Sequence, residues 1–223
     1  TTTTISEEQF NYVSQLIDKE KLSNKITLLK NDYRDLSGQF DKLVSIEMIE
    51  AVGYNYIQKF FQVCSSLLKP DGLMLCSMFG SETLRELRSC LLAAEEQFKE
   101  KVYPRIHPFT DIRTAGDILQ SSGFKLCVAD DTTIKVPTKD VYQLVKLIRS
   151  MGENNYLNID KPNISRNIWN MTSELMKDVT PTEDGVMSTF QILTLTGWKY
   201  HADQPKPLKP GSAKISLADF FDK

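Results

Sequence analysis

Short apolar runs alternate with amphipathic helices along this chain, and that order constrains the fold more than any other feature. Runs of strand length lie at residues 26–29, 40–46, 73–79, 125–136 and 187–198. Helices with apolar residues every three or four positions are predicted over 6–21, 55–68, 83–101, 112–122, 141–151 and 165–179. Strands that alternate with helices through short connections predict an α/β three-layer sandwich with a mostly parallel sheet.

Local signals set several element boundaries. The segment SEEQ at 6–9 is a capping box, in which the Ser hydroxyl bonds the amide of the third helical residue, so the first helix begins there. The segment KPDG at 69–72 predicts a turn after the helix over 55–68, because Pro disfavours helical geometry in the residue before it. A turn at 130–131 is expected to break the strand over 125–136.

The charge balance narrows the possible partners. Lysine and arginine number 27 and aspartate and glutamate 29, so 27 − 29 gives a net charge of −2. A near-neutral folded chain has no general field that attracts nucleic acid or an anionic bilayer, so no nucleic-acid partner is predicted. The longest stretch without a charged residue, 185–198, is shorter than the ~20 residues that a membrane-spanning helix needs, so no transmembrane segment is predicted.

The cysteines indicate the redox environment. The four positions, all in apolar runs and without a CxxC pair, are Cys64, Cys76, Cys90 and Cys127. Such spacing is typical of buried free thiols in a reducing compartment rather than of a disulfide framework or a zinc centre. The sequence therefore predicts an intracellular protein without a metal site.

Polar residues that follow the predicted strands are the candidate functional residues, because ligands of open α/β sheets bind at the carboxyl ends of the strands. Asp32 and Tyr33 place a carboxylate beside an aromatic ring, a pair that suits an adenosine and equally describes a solvated turn. Glu47 and Glu50 follow the next strand among apolar neighbours. They are read either as a site that contains a buried acid with a raised pKa, or as the start of a surface helix.

Three further features leave alternatives open. His107, in a loop, is either a base or a structural residue. Arg85 and Arg88 on one predicted helix either bind an anionic acceptor or form a solvated face. The segment WKYH at 198–201 is either an interaction patch or a belt that covers the core. The chain contains no GxGxxG motif, no P-loop and no serine nucleophile elbow.

The segments TISEEQ (4–9) and NDYRDLSGQFDKLVSIEMIEAVG (31–53), followed by FF…LLKPDG, resemble the cyclopropane fatty acid synthases over about residues 4–72. These are class I S-adenosylmethionine-dependent enzymes that deliver a methylene to lipid double bonds. The resemblance implies a Rossmann-like class I methyltransferase fold and S-adenosylmethionine as the cofactor. It also implies transfer of a one-carbon group to an acceptor, which is either a lipid or a protein.

The same resemblance assigns roles by position. The implied cofactor residues are Thr4 and Gln9 near the methionine and ribose, Asp32 and Tyr33 at the adenine-side turn, and Ile46 under the base. Glu50 matches the active-site acid, which in the family helps to hold a bicarbonate that acts as general base. Ser77 stands where the family usually has a His, a departure from the pattern of bicarbonate-assisted chemistry.

A second resemblance begins near residue 68. The segments MFGSETLRELRSCLLAAEE, HPFTDIRTAGDILQSSGF, MGENN, TFQILTLTGWKYH and GSAKIS resemble mitochondrial complex I assembly factors of methyltransferase fold and the biotin-pathway malonyl-carrier-protein methyltransferases. In the assembly factors the fold is associated with hydroxylation of an arginine on a complex I subunit. The alternative function is therefore a non-methylating assembly factor or protein-modifying scaffold, with a complex I subunit as partner, in the mitochondrial matrix or the bacterial cytoplasm.

The two resemblances divide the chain. Residues 1–80 are expected to form a partial cofactor-binding core, 81–203 the rest of the sheet with helical cover, and 204–223 an extended Pro-rich tail. The first resemblance places the family's first strand and glycine loop before Thr1. In the family's sheet, this first strand lies between the second and fourth strands. The sequence thus predicts open edges in the middle of the sheet and weak cofactor binding by this chain alone.

Overall fold

The computed structural model describes residues 1–99, 101–153, 157, 159–206 and 211–212. Its strands are β1 (Thr2–Thr3), β2 (Leu28–Leu29), β3 (Phe40–Ile46), β4 (Leu68–Phe79), β5 (Phe124–Thr138), β6 (Pro181–Thr182) and β7 (Gly185–Lys199). Within the described ranges, one sheet has the order β3-β4-β7-β5 with β6 beside β7, and β1 pairs with β2 separately.

The helices lie close to their predicted positions. They are α1 (Glu7–Lys19), α2 (Ile49–Val52), α3 (Ile57–Leu67), α4 (Arg85–Phe98), α5 (Ile112–Ser121), α6 (Val141–Ser150) and α7 (Arg166–Val179), with short 3-10 turns at Tyr33–Asp35 and Tyr54–Tyr56. The predicted capping box is confirmed, because the Ser6 side chain accepts from the Gln9 amide. Asp111, Asp140 and Ser165 cap α5, α6 and α7 in the same way, which explains where these helices begin.

The expectation of a mostly parallel sheet is wrong. β3 pairs with β4 in parallel, as β1 does with β2, whereas β7 runs antiparallel to β4, β5 and β6. The pattern of apolar residues predicts that a segment is a strand but not its direction, which the connections and the packing decide.

Two predicted turns lie inside strands. Asp130 and Asp131 continue β5 and pair with Thr194 and Leu193 of β7, so the long antiparallel partner overrides the local turn signal. The segment 69–72 belongs to β4, where the register against β3 shifts and Asp71 has φ 63°. The predicted break is therefore a bulge next to the helix end rather than a separate turn.

Two apolar clusters cover opposite faces of the larger sheet. Successive strand residues point to opposite faces, and Leu193 belongs to the first cluster while Ile192 packs on the second. Helices α3 and α5 contribute to the first cluster, and α4, α6 and α7 to the second. The three-layer arrangement predicted from the sequence is confirmed, with the side chains of α4, α6 and α7 converging on one face.

The predicted open edge is present. No backbone pairing among the described residues joins the β1-β2 pair to the outer edge of β3. Val44 and Ile46 of β3 are 61% and 69% exposed, which is unusual for apolar residues of a strand next to a core. The sheet layer is thus divided into two separate sheets at the outer edge of β3.

The division at residues 80 and 203 stays a prediction, and most of the expected tail over 204–223 lies outside the described residues, as does part of the segment MGENN. Within the described part of the chain, no helix is long and apolar enough to cross a bilayer.

Candidate functional site

Hydrogen bonds hold the ends of β1 and β2 together. The hydroxyl of Thr3 donates to the carbonyl of Asn31 at 2.6 Å, and the backbone N–H of Thr4 donates to the carbonyl of Leu29 at 3.1 Å. These contacts bring Thr4, at the start of α1, next to the turn that contains Asp32. The sequence predicted both positions separately, and the structure places them at one edge of the small sheet.

Thr4 and Gln9 are oriented by each other. The Thr4 hydroxyl donates to Oε1 of Gln9 at 2.6 Å and accepts from the backbone N–H of Ser6 at 3.1 Å. The Gln9 carbonyl oxygen is therefore engaged, and its NH2 group is left as a donor at the N-terminus of α1. This pair presents donors and an acceptor of fixed geometry at the end of β1.

Asp32 is held in its own turn by Arg34. Its Oδ1 accepts from the backbone N–H and from Nε of Arg34, both at 2.9 Å, and its Oδ2 accepts from Nη2 at 2.6 Å. These bonds lower the pKa of Asp32 to about 2, so the carboxylate stays ionised at neutral pH. A carboxylate has about four acceptor sites, so Asp32 retains capacity for a ligand hydroxyl or amine.

Tyr33 connects the small sheet to the main core. Its ring lies 5.3 Å from the ring of Phe60 in α3, with the planes at 69°. Among the described residues, no hydrogen bond or ion pair joins the Thr4 and Asp32 positions to Glu50, so packing of this kind links the two groups of candidate residues.

Ile46 and Glu47 lie at the carboxyl end of β3. Ile46 pairs with Ser77 of β4, and its side chain faces outward at the open edge. The backbone N–H of Glu47 donates to the carbonyl of Ser77 at 3.4 Å, and Glu47 has φ 50°, so the chain turns sharply after the strand. Ile46 offers an apolar surface where the resemblance places the base, and this role stays a prediction.

Glu50 is the half-buried acid that the sequence allowed. Its Oε1 accepts from the backbone N–H of Phe79 at 2.8 Å, and its Oε2 is buried without a hydrogen-bond partner among the described residues. Burial raises the pKa of Glu50; the Phe79 bond opposes this effect, and the charges of Glu153 and Glu47 add to it. An under-satisfied buried acid at a strand end is a feature of functional sites.

A cavity of about 210 Å³ lies against Phe79, the residue whose backbone N–H binds Glu50. Phe79 forms part of its wall, and Leu87 and Leu91 of α4, Ile148 of α6 and Trp169 of α7 form much of the rest. The polar residues of the lining are Thr83, Arg105, His107, Arg149 and Glu153. Ligand sites are concave, mostly apolar and supplied with a few polar groups, and this cavity has that character.

Sequence reasoning missed the cavity. The apolar positions of α4, α6 and α7 were recognised as buried helix faces, but their convergence depends on tertiary packing. One wall is fixed by a buried ion pair: Oε1 of Glu95 accepts from Nε and Nη2 of Arg105 at 2.9 and 2.5 Å, and Nη1 donates to the carbonyl of Pro162 at 2.8 Å. No sequence pattern signalled this pair.

The two arginines considered for an anionic acceptor have structural partners. Arg85 pairs with Glu82 and Glu86, and Arg88 donates to the carbonyls of Ser81 and Thr83. The interpretation of a binding face is therefore not supported, and both side chains stabilise the start of α4.

The candidate residues fit the chemistry of an adenosyl cofactor. Thr4, Gln9 and Asp32 supply the hydrogen-bonding groups that ribose and adenine need, and Tyr33 and Ile46 supply apolar surface. The residues that the structure describes include no glycine-rich loop whose backbone amides could contact the cofactor. The fit therefore depends on these side chains.

Comparison with known families decides the family. The family described as mycolic acid cyclopropane synthetase matches residues 1–134, more than half of the chain. The chain belongs to the mycolic acid cyclopropane synthetase family. This membership confirms the resemblance of the N-terminal segments and supports S-adenosylmethionine as the cofactor.

The arginine-hydroxylase relatives match a longer part of the chain than the family model does. The human protein named "Arginine-hydroxylase NDUFAF5, mitochondrial" is 32% identical over 215 residues, which are 96% of this chain and 59% of the human protein. Tuberculostearic acid methyltransferase UfaA1 of Mycobacterium tuberculosis is 38% identical over 69 residues, 31% of this chain and 16% of the relative. The chain spans about half the length of the arginine-hydroxylase relatives it matches.

Solved structures show the fold. A candidate methyltransferase from Bacillus halodurans C-125 aligns with a TM-score of 0.57 at 10% identity, over 89% of this chain and 82% of its own. The YcgJ protein from Bacillus subtilis aligns with a TM-score of 0.56 at 10% identity, over 89% and 81% of the two chains. The fold is the Rossmann-like class I methyltransferase fold, as the sequence predicted.

Proposed function

We propose that this chain is part of an S-adenosylmethionine-dependent methyltransferase-like enzyme that transfers a one-carbon group to a lipid or protein acceptor. The observation that carries the proposal is the position of Glu50. Its half-buried carboxylate lies at the carboxyl end of the sheet, bonded to Phe79, and Phe79 is also a wall of the apolar cavity. An acid near both the strand-end residues and a cavity is suited to accepting a proton from, or stabilising charge on, the acceptor during group transfer.

Each candidate residue has a role in this proposal. Thr4 and Gln9 hold the methionine and ribose side of the cofactor, Asp32 accepts from a hydroxyl or amine, and Tyr33 and Ile46 pack on the base. The cofactor, when bound, supplies an electrophilic carbon on a sulfonium. Glu50 contributes negative charge or accepts a proton at the junction with the cavity. Ser77 stands where the family's bicarbonate-holding His is usual, so bicarbonate has no role in the proposal.

A second function is favoured by a specific finding. The five arginine-hydroxylase relatives, all named as mitochondrial, are 32–36% identical to this chain. The match with the human protein covers 96% of this chain. The alternative proposal is a non-methylating assembly factor or protein-modifying scaffold for a respiratory-chain subunit. On either proposal we infer a mitochondrial-matrix or bacterial-cytoplasmic protein.

Mass spectrometry separates the two functions. The full-length protein that contains this chain is incubated with S-adenosylmethionine and with candidate lipid and protein acceptors. Transfer adds a one-carbon group to the acceptor, and hydroxylation adds one oxygen atom. Addition of one carbon supports the first proposal, and addition of oxygen or unmodified acceptor contradicts it.

A pair of variants tests the role of Glu50. Glu50→Gln is expected to abolish most transfer while leaving binding of a partner protein unchanged, because it removes a charge from inside the site but no surface contact. Glu47→Gln is the matched control, because Glu47 is exposed and three residues away. Equal transfer by both variants and the parent would remove Glu50 from the mechanism.

A further inference from the structure

Two side chains that can accept a proton line the cavity, His107 and Glu153. His107 lines the cavity from the loop before α5, and its ring lies 6.3 Å from that of Phe109, which lines the cavity too. A backbone bridge between Thr110 and Gly80 fixes the end of this loop beside the carboxyl end of β4. His107 is therefore held near Phe79, whose ring contacts Phe109 and whose backbone N–H binds Glu50.

The hydrogen bond of this ring fixes its tautomer. Nδ1 of His107 lies 3.0 Å from the carbonyl oxygen of Pro108. A carbonyl oxygen can only accept, so Nδ1 carries the proton of the neutral ring and Nε2 keeps its lone pair. Within the described part of the chain Nε2 has no hydrogen-bond partner, so it is available to a molecule in the cavity.

The charged groups around this ring come from several elements. Glu153, after α6, lines the cavity; burial raises its pKa, the charge of Glu47 adds to that effect, and His107 opposes it. Arg105 is neutralised by Glu95, while Arg149 on α6 has no ion-pair partner among the described residues. A positive imidazolium formed at His107 would thus face a nearby carboxyl group.

The residues of the cavity wall indicate the polarity of the ligand body. Leu87, Leu91, Phe109, Ile148, Trp169 and Phe190 give the interior an apolar surface. A charged molecule would lose hydration there without a buried unpaired partner, because Arg105 is already bonded to Glu95 and Pro162 and the Arg149 side chain is exposed. The ligand body is therefore apolar, with its polar group at the His107 end.

We propose that the cavity is the acceptor site, that it takes a largely apolar molecule bearing an O–H or N–H group, and that Nε2 of His107 accepts the proton of that group. In this step the O–H or N–H bond breaks, its electron pair stays on the heteroatom, and the proton bonds to Nε2 to give an imidazolium. The proposal rests on the function proposed above, because it names the acceptor class of the same site.

Histidine NMR tests the proposal without the cofactor. The chain is labelled with 15N-histidine, and since it has two histidines, His201→Gln assigns both signals. The neutral His107 ring is expected to be the Nδ1–H tautomer. Hexanol is expected to shift the Nε2 signal of His107 and the methyl signals of Leu87 and Leu91, and to leave His201 unchanged.

Pentyl methyl ether is the matched probe, because it is an isomer of hexanol without the O–H group. It is expected to shift the same methyl signals and to leave Nε2 of His107 almost unchanged. An Nε2–H tautomer, equal Nε2 shifts with both probes, or no methyl shift with either would overturn the proposal. His107→Gln should keep the methyl shifts produced by hexanol, which separates proton acceptance from cavity formation. A failure of group transfer in the full-length protein would leave this titration unaffected, so the two proposals fail separately.

Discussion

Oε1 of Glu50 accepts a 2.8 Å hydrogen bond from the backbone N–H of Phe79, and the second oxygen of the same carboxyl group is buried without a partner among the described residues. The contact ties α2 to the carboxyl end of β4, 29 residues further along the chain. It also leaves a carboxylate that is only half satisfied. The difference between the bonded and the unbonded oxygen predicts how Glu50 affects the stability of the fold and how that stability depends on pH.

Glu50→Gln should stabilise the fold near neutral pH. The amide keeps an acceptor for Phe79 and removes the cost of burying a charge, so the free energy of unfolding should rise on the order of 1 kcal/mol. Because the pKa of Glu50 is raised, the folded state binds more protons than the unfolded state above the ordinary glutamate value. The parent should therefore lose stability as pH rises through that window, and the variant should not.

Urea unfolding at about pH 4 and about pH 8 checks this difference. The stabilities of the two proteins should be closest at the lower pH, where the glutamate is mostly protonated in both states. A variant that is less stable than the parent at both values would show that the carboxylate is better satisfied than the hydrogen bonds indicate.

Asp32 should stabilise its turn mainly through a cap, because water screens its ion pair with Arg34, whose side chain is 58% exposed. Its Oδ1 accepts from the backbone N–H of Arg34, so Asp32→Ala should lower the free energy of unfolding by about 1 kcal/mol. Asp32→Asn keeps the cap and should stay within about 0.5 kcal/mol of the parent. Asp35→Ala, in the same turn, is the control. Chemical denaturation of the three variants gives the comparison, and a loss in Asp32→Asn as large as in Asp32→Ala would contradict the cap.

The pKa of Asp32 gives a second check by NMR titration of its side-chain carboxyl carbon. Bonding to Arg34 lowers that pKa to about 2, so the stabilising contribution is present above the ordinary aspartate value and is lost as pH falls through about 2. Arg34→Gln should raise the Asp32 pKa. An unchanged value would show that Arg34 does not hold the carboxylate in solution.

Removing Arg105 should destabilise the fold strongly. Glu95 is fully buried and Arg105 is 7% exposed, so Arg105→Met leaves the buried carboxylate, among the described residues, with only the Lys99 ammonium at 3.8 Å and the Tyr103 N–H, and should cost about 3 kcal/mol. Arg85→Met is the matched control, because the Arg85 side chain is 52% exposed, and should cost less than about 1 kcal/mol. Thermal and urea unfolding measure both, and similar losses in the two variants would mean that the Glu95 pair is not buried in solution.

Much of the fold was predictable because its signals are local. The capping residues Ser6 and Ser165 set the starts of two helices by a hydrogen bond within one turn, and the strand at 40–46 appears with the predicted bounds. Strand direction and the continuity of β5 through Asp130 and Asp131 were not predictable. They depend on β7, whose pairing with β5 is set by contacts between distant parts of the chain.

The site was predictable only in part, for the same reason. The apolar neighbours of Glu50 indicated burial. Its hydrogen-bond donor, the backbone N–H of Phe79, is remote in sequence and could not be predicted. The cavity depends on three helices that approach one another only in the folded protein. The roles of Thr4, Gln9 and Ile46 in binding a cofactor stay predictions.

The open edge of β3 should make this chain self-associate. Val44 and Ile46 are exposed beside unpaired backbone groups, an arrangement that favours edge-to-edge pairing. Val44→Lys should lower the association constant, because a charged side chain on an edge strand opposes a second strand. Val102→Lys, at an exposed loop position, should have no effect. Sedimentation equilibrium over a range of concentrations measures this, and a parent chain that is monomeric throughout would contradict the expectation.

The most direct test of the central claim is a titration of the 15N-labelled chain with S-adenosylmethionine, followed residue by residue through amide shifts. We expect saturable shifts at Thr4 and Asp32 beside the small sheet and at Ile46 and Glu50 beside the large one, with affinity weaker than micromolar because the two sheets are not joined. Shifts at one group alone, shifts elsewhere, or micromolar affinity would contradict it.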